Sequence, residues 1–144
     1  MPDARNFWYY IFQLRMKKIL IIRFGAIGDV ILTSPAAINL KLSFPETEIF
    51  FLTRQRIADL LRLFDGVDEI LEFPQKASFR QLFRMGEYLD KLKFDMIVDL
   101  HGNIRSKYLM HHVSAPVRVQ YDKRRFERFM SVKFGRINPH PPTR

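Results

Sequence analysis

One stretch near the start of the chain, residues 18–36, constrains the fold more than any other. Its sequence is KILIIRFGAIGDVILTSPA. The run from Lys18 to Ile22 predicts a strand, and a nearly continuous aliphatic strand is typical of a parallel sheet with both faces covered. The loop that follows contains Gly25 and Gly28, which allow a sharp turn and a close approach to a ligand. Asp29 comes next, at the carboxyl end of the strand, where open α/β sheets bind their ligands.

The rest of the chain alternates short apolar runs with helical patterns. Thr33, Ser34 and Pro35 predict a helix start, because a hydroxyl residue caps a helix and proline suits its first turn. Pro45 is expected to end that helix. Further strands are predicted at residues 48–53, 69–73, 94–100 and 116–120, with helices between 55 and 64, over 78–92 and over 104–112. This alternation predicts an α/β, Rossmann-like fold: a parallel sheet with flanking helices.

Right-handed crossovers bring the carboxyl ends of parallel strands to one edge of the sheet. The segments after the first four strands are therefore expected to converge there, at residues 25–29, 53–56, 74–84 and 101–105. Together they would form a crevice that holds a carboxylate, two glycine turns and several arginines.

Composition and charge limit the classes of partner. The 144 residues are 47% hydrophobic and 27% charged, as in a soluble globular domain, and the absence of cysteine excludes disulfides and thiolate metal sites. The net charge of +9 lies at the two ends, since residues 24–116 hold eleven basic and twelve acidic residues. A near-neutral middle argues against a nucleic-acid module, but the net charge still favours an anionic partner.

The two ends of the chain stand apart from the strand-helix pattern. Residues 7–14, FWYYIFQL, are too few to span a bilayer, so they form either an interfacial segment or part of an extension, residues 1–16, outside the fold. Residues 121–144 predict a basic helical tail that ends in the proline-rich NPHPPTR. The predicted Rossmann-like domain is thus residues 17–120.

The residues alone leave three interpretations of the loop at Asp29. Dinucleotide binding would need G-x-G-x-x-G and an acid after the second strand, whereas this chain has only Gly25 and Gly28 and ends that strand in Thr53-Arg54. General-base catalysis is the second, since a carboxylate at a helix N-terminus can take a proton from a hydroxyl. The third is that Asp29 simply caps the helix.

A family resemblance favours the second interpretation. Residues 18–61 resemble the amino-terminal domain of the family 9 glycosyltransferases, the ADP-heptose:lipopolysaccharide heptosyltransferases. The family pattern is a strand ending in Lys or Arg, a short loop, Gly-Asp-Val and a Thr/Ser-x-Pro segment. Matching residues here are Arg23, Gly28-Asp29-Val30 and Ser34-Pro35, and further matches are Phe44-Pro45-Glu46, Val67 to Ile70, Phe94-Asp95 to Asp99, Gly102 and Arg105-Ser106. The resemblance covers about residues 17–137.

The resemblance implies one half of a GT-B enzyme, with the acceptor bound mainly by this domain and the sugar nucleotide mainly by a second one. The implied reaction is an inverting, metal-independent transfer of heptose from ADP-heptose to the lipopolysaccharide inner core. Asp29 falls at the family's catalytic base. The implied partners are the sugar nucleotide and the anionic core acceptor, with no cofactor, no metal and no nucleic acid. The implied location is cytoplasmic, and contact with the inner membrane surface is left open.

Basic residues at the predicted crevice suit such an acceptor, because guanidinium groups bind carboxylates and phosphates well. The predicted acceptor-binding residues are Arg23, Gly28, Arg54, Arg56, Lys76, Arg80, Arg84, Gly102, Asn103 and Arg105. His101 is instead expected to be a hydrogen-bonded turn residue. His111 and His112 are adjacent on a helix and face different directions, so they do not suggest a metal pair.

The chain is shorter than the family's two-domain enzymes. No glycine-rich donor-binding motif follows Arg136, so we expect little or no transferase activity from this chain alone. An alternative is a binding module that holds anionic glycan or lipid without catalysis. A basic nucleic-acid binder that uses residues 118–136 is a more remote alternative, because Phe126, Phe129 and Phe134 resemble packing positions more than base-stacking platforms.

Overall fold

A computed structural model describes residues 15–120 of the chain. Strands and helices alternate throughout this range. In chain order they are β1 (Lys18–Ile22), α1 (Ile27–Ser43), β2 (Glu48–Arg54), α2 (Gln55–Leu61), β3 (Glu69–Phe73), α3 (Phe79–Lys91), β4 (Met96–Asp99), α4 (Ile104–His112) and β5 (Val117–Gln120). The predicted alternation is confirmed.

The five strands form one parallel sheet in the order β3-β2-β1-β4-β5. β1 is central, as its aliphatic sequence predicts, and Ile19 to Ile22 are fully buried. Ile22 aligns with Leu52 of β2 on one side and with Asp99 of β4 on the other. The chain segments that follow β1, β2 and β4 therefore begin side by side at one edge of the sheet.

Each face of the sheet has its own hydrophobic core. Leu20 and Ile22 join the core beneath α3 and α4, whereas Ile19 and Ile21 join the core beneath α1 and α2. This division follows from the two-residue repeat of a strand, which sends alternate side chains to opposite faces. Burial of each such side chain stabilises the fold by about 1.5–3 kcal/mol. The two cores fix the carboxyl edge on which the candidate site lies.

The predicted start of α1 at Thr33-Ser34-Pro35 is wrong. The helix begins at Ile27 and runs through Pro35, which lies in its interior. Proline has no N–H for the carbonyl four residues earlier, that of Ile31. The Ser34 hydroxyl donates to that Ile31 oxygen at 2.7 Å, so the carbonyl keeps a hydrogen bond. α1 ends at Ser43, two residues before the proline expected to end it.

α3 begins and ends where the sequence predicts a helix. Ser78 is the N-cap, its side chain accepts from the Gln81 N–H, and the Gln81 side chain accepts from the Ser78 N–H. This reciprocal pair is a capping box, which fixes the first residue of a helix. The predicted helix over 78–92 is therefore confirmed with its two end residues as caps.

Met16, near the start of the described range, packs into the fold. Met16 is buried in the core beneath α1 and α2, and its carbonyl accepts from the Thr47 hydroxyl at 2.6 Å. The fold thus includes the last residue of the predicted extension. The aromatic run 7–14 and the predicted basic tail 121–144 lie outside the described residues. Among the helices of the described range, none combines the length and apolar content that crossing a bilayer needs.

Candidate active site at the carboxyl edge of the sheet

The loop between β1 and α1 is short because α1 begins at Ile27. Gly28 lies in the first turn of α1, and a Cβ there would meet no atom within 4 Å. Neither Gly25 nor Gly28 has a positive φ angle, so the turn here does not depend on the left-handed conformation that favours glycine. The open space at Gly28 leaves the first turn of α1 accessible to a ligand.

Asp29 lies in the first turn of α1 and does not cap it. The N-cap is Ala26, and α1 has no side-chain capping bond. The Asp29 carboxylate instead forms an ion pair with Arg23, with 2.8 Å between Nη2 and Oδ2. Its side chain is 51% exposed, whereas that of Arg23 is 14% exposed. Arg23 therefore orients a carboxylate that solvent or a substrate can reach.

Arg23 also connects this loop to the turn after β4. Its Nη1 donates to the Leu100 carbonyl. Its Nε is buried and has no hydrogen-bond partner within residues 15–120. Because one guanidinium holds both Asp29 and the Leu100 backbone, the two loops are fixed relative to each other.

The turn after β4 is built on Asp99, which is fully buried. Its Oδ1 accepts from the N–H groups of His101 at 2.9 Å and Gly102 at 3.0 Å, and its Oδ2 accepts from the Ser106 hydroxyl at 3.0 Å. Gly102 has a φ of 72°, a conformation that glycine adopts without strain. Asn103 then caps α4, accepting from the Ser106 N–H at 2.8 Å. These contacts place His101 at the carboxyl edge.

Arg54, the last residue of β2, is held from several sides. Its guanidinium lies 5.4 Å from the ring centroid of Phe24 and 5.7 Å from that of Phe73, and its Nη1 donates to the carbonyls of Pro74 and Gln75. Burial and the nearby Arg105 lower the pKa of Arg54. Guanidinium groups nevertheless stay protonated in proteins, so Arg54 supplies a fixed positive charge.

These loops enclose a cleft of about 460 Å³. Its polar side chains are Arg54, Arg56, Gln75 and His101, and its apolar wall is formed by Phe24, Ile27 and Ile57, with backbone from Gly25 and Ala26. Arg56 is exposed and forms no ion pair within the described residues. The cleft, which we call the Arg54–Arg56 cleft, is positively charged and adjoins the first turn of α1, which carries Asp29.

His101 is the cleft residue that the sequence assigned to a turn alone. It does lie in the turn, but its ring also lines the cleft and contacts Phe24 edge-on, with centroids 5.4 Å apart. Burial and the Arg23 charge lower the pKa of His101. Its Nδ1 is buried without a hydrogen-bond partner within residues 15–120. His101 therefore presents a neutral imidazole to the cleft at neutral pH.

The predicted acceptor-binding residues are only partly brought together. Arg54 and Arg56 line the cleft, while Arg23 and Gly28 lie beside it on the β1 and α1 side. Lys76, Arg80 and Arg84 are exposed on or before α3 and do not line the cleft. Gly102, Asn103 and Arg105 follow His101 in the turn after β4 and at the start of α4, and they do not line the cleft. The roles of all these residues in acceptor binding stay predictions.

The segment 74–84 is expected at this edge, but no pattern singles out Gln75 within it, and none points to Phe24 or Ile57, which also line the cleft. Apolar residues in a strand-helix pattern are usually interpreted as core, and Gln75 follows a proline in a loop without a motif. Within residues 15–120, no three His, Asp or Glu side chains converge as a metal site. Metal-independent chemistry remains a prediction from the resemblance.

Several solved structures share the fold of this chain. The family 9 glycosyltransferase from Veillonella parvula is 24% identical, with a TM-score of 0.65 over 71% of this chain and 30% of that one. E. coli ADP-heptose lps heptosyltransferase II is 20% identical, with a TM-score of 0.63 over 72% of this chain and 30% of that one. E. coli heptosyltransferase WaaC, solved with ADP-2-deoxy-2-fluoro heptose, is 18% identical, with a TM-score of 0.61 over 73% of this chain and 36% of that one.

No protein-family profile matches the sequence, and no curated protein sequence matches it either. The chain spans about a third of the length of the three structures. At these identities the likeness concerns the fold. It shows that this chain has the Rossmann-like α/β fold found in family 9 glycosyltransferases and heptosyltransferases, as the sequence predicted.

Proposed function

We propose that this chain is the acceptor-binding part of an inverting glycosyltransferase that transfers heptose from ADP-heptose to an anionic lipopolysaccharide core. The observation that carries the proposal is the position of Asp29. It is an exposed carboxylate in the first turn of α1, oriented by Arg23 and next to the positively charged Arg54–Arg56 cleft. The fold shared with heptosyltransferases supports the same conclusion.

In the proposed reaction Asp29 is the general base. It accepts the proton of the acceptor hydroxyl as that oxygen attacks the anomeric carbon of the donor, and the bond to ADP breaks on the opposite face. The configuration at that carbon is inverted because there is a single displacement. A side-chain carboxylate that already has an ion-pair partner is held in place for this transfer, and general-base catalysis contributes about 10²–10⁴-fold in rate.

The cleft is proposed to bind the negative groups of the acceptor. Arg54 is a fixed charge, held by Phe24, Phe73 and two carbonyl groups. Arg56 has its guanidinium free of ion pairs within the described residues. Arg56 is therefore the side chain best placed to form a charge-assisted pair with a carboxylate or phosphate. The apolar wall formed by Phe24 and Ile57 would pack against a sugar ring.

The donor is proposed to bind outside this chain. The matched part of this chain covers only 30–36% of the structures that it resembles, and the WaaC structure holds an ADP-sugar. Stabilisation of the charge that develops on the leaving group is often the largest catalytic contribution. We therefore expect residues 1–144 alone to bind the acceptor but to transfer sugar slowly or not at all.

Acceptor binding is tested by titrating the chain with a deacylated core oligosaccharide and following the binding by calorimetry and amide NMR shifts. Arg56→Gln should weaken binding roughly 10-fold to 100-fold, because a hydrogen bond to a charged group contributes about 1.5–3 kcal/mol. Asp29→Asn should leave the affinity within about twofold, since the base is proposed to act in the chemical step.

Lys91→Gln is the matched control, because Lys91 is an exposed cation at the far end of α3. It should bind like the wild-type chain. The proposal of an acceptor site in the cleft is wrong if Arg56→Gln and Lys91→Gln both bind like wild type. It is also wrong if the largest amide shifts fall outside the loops after β1, β2 and β4.

A further inference from the structure

Two large apolar side chains at the carboxyl edge of the sheet face solvent. Phe79, the first residue of α3, is 90% exposed, and Ile104, the first residue of α4, is 84% exposed. The cores of this fold are formed by other residues of the same helices, such as Leu82 and Leu109. Phe79 and Ile104 therefore contribute little to folding while they present apolar surface to water.

The two exposed residues lie at the same height on neighbouring helices. α3 and α4 pack side by side, and they meet where the ring of His112 lies against Gly86. Measured along the helix axes from that contact, Phe79 lies about 10 Å and Ile104 about 12 Å toward the N-terminus, at about 1.5 Å of rise per residue. Phe83, one turn after Phe79, is half exposed and contacts His112, with ring centroids 5.6 Å apart. Phe79, Phe83 and Ile104 thus expose apolar surface near the starts of two neighbouring helices, and we call these three side chains the apolar strip.

Basic residues lie next to this strip. Arg80 and Arg84 form a row on α3 parallel to the row of Phe79 and Phe83, since residues four apart on a helix are neighbours. Lys76 precedes the helix, and all three cations are exposed. None of them has an ion-pair partner within residues 15–120. One acid, Glu87, is exposed a turn further along α3.

We propose that this α3–α4 surface, formed by Phe79, Phe83, Ile104, Lys76, Arg80 and Arg84, binds to the surface of an anionic lipid bilayer. Aromatic and aliphatic side chains enter the interface between headgroups and acyl chains. The three cations then lie at the depth of the negatively charged headgroups, which attract them. The charge of the surface is complementary to such a membrane, and its exposed apolar groups gain a less aqueous environment on binding.

The position of the surface fits a membrane-proximal cleft. Gln75 lines the Arg54–Arg56 cleft and is followed directly by Lys76, and His101 lines the cleft three residues before Ile104. Docking of the α3–α4 surface would hold the mouth of the cleft near the headgroups. The α3–α4 surface is separate from the proposed acceptor cleft. Its test measures lipid binding, so a negative result there would not contradict the proposed transfer reaction.

The test is co-sedimentation of the full chain with vesicles of phosphatidylcholine containing about 30% phosphatidylglycerol, compared with phosphatidylcholine alone. We expect binding to the anionic vesicles to be at least about tenfold stronger. Arg80→Gln with Arg84→Gln should weaken it about 25-fold, from about 1 kcal/mol for each cation near an anionic surface. Phe79→Ser with Ile104→Ser should weaken it about tenfold or more.

Matched controls remove equal numbers of similar groups elsewhere. Leu42→Ser with Leu63→Ser removes two exposed apolar side chains, 75% and 80% exposed. Lys17→Gln with Lys91→Gln removes two exposed cations at the opposite edge of the sheet. Both controls should bind anionic vesicles like the wild-type chain. Far-UV circular dichroism checks that every variant is folded.

The proposal is overturned if the α3–α4 variants and the controls lose binding equally, or if none of them loses binding. It is also overturned if the chain binds a random DNA duplex more tightly than anionic vesicles and the Arg80/Arg84 double variant abolishes that binding. The latter result would assign the surface to nucleic acid instead.

Discussion

Replacement of Asp99 tests how the cleft is supported. This carboxylate is fully buried at the end of β4 and accepts three hydrogen bonds, from the N–H groups of His101 and Gly102 and from the Ser106 hydroxyl. Asp99→Ala removes all three. Asp99→Asn keeps the shape of the side chain and one accepting oxygen, so the two variants separate the hydrogen bonds from the charge.

The expected loss in the free energy of unfolding follows from the hydrogen-bond partners of Asp99. Three bonds to a charged group sum to roughly 4.5–9 kcal/mol, but this overestimates the loss, because removing a buried charge also removes its desolvation cost. The N–H groups of His101 and Gly102 are half-buried and can reach water, and the Ser106 hydroxyl also lies 3.0 Å from the Asn103 carbonyl. We expect Asp99→Ala to lower the free energy of unfolding by about 3 kcal/mol.

Asp99→Asn should cost about 1 kcal/mol or less. Its amide oxygen can accept from both backbone N–H groups, and its NH₂ group can donate to the Ser106 oxygen, whose own proton turns to the Asn103 carbonyl. Urea unfolding followed by far-UV circular dichroism gives both free energies. Equal destabilisation by Ala and Asn would refute the reasoning, because it would show that the charge, and not the hydrogen bonds, supports the turn.

Two further predictions concern the loops around the sheet. Gly66→Ala should lower the free energy of unfolding by about 1–3 kcal/mol, because Gly66 has a φ of 95° and a Cβ there would lie 3.1 Å from the Ile38 backbone. Urea unfolding measures this free energy, and an unchanged unfolding midpoint would contradict the prediction. Burial and Arg23 lower the pKa of His101 in the folded chain. The unfolded chain therefore takes up a proton at His101 first, so the free energy of unfolding should fall as the pH drops from about 6.5 through the lower folded pKa. His101→Gln should therefore flatten the loss of stability just below pH about 6.5, and a wild-type pH profile in that variant would contradict the assignment.

Much of the fold could be predicted because its signals are local. The aliphatic run of β1 and the helical spacing of apolar residues over 78–92 identify their elements without tertiary information. The start of α1 could not be predicted, because its N-cap is Ala26, which has no capping side chain. The Ser34-Pro35 pair reads as a helix start in sequence, whereas in the structure the Ser34 hydroxyl compensates for Pro35 inside the helix.

The candidate site was predictable only to the level of the sheet edge. Parallel strands bring all following segments to that edge, but five strands about 4.8 Å apart make it roughly 19 Å wide. Arg54 and Arg56 follow β2 next to the central strand and line the cleft, whereas Arg80 and Arg84 extend along α3 away from it. His101 was assigned to the turn alone, because its contact with Phe24 depends on where two separate loops meet.

Sugar transfer in the presence of a donor-binding part tests the central claim most directly. Residues 1–144 would be fused to the donor-binding part of E. coli heptosyltransferase II and supplied with ADP-heptose and a deacylated core oligosaccharide. The account predicts product from the wild-type fusion and a rate about 10²–10⁴-fold lower with Asp29→Asn, at unchanged acceptor affinity. Equal rates from the wild-type and Asp29→Asn fusions, or acceptor binding without any product, would contradict a catalytic role for Asp29 and favour a binding module.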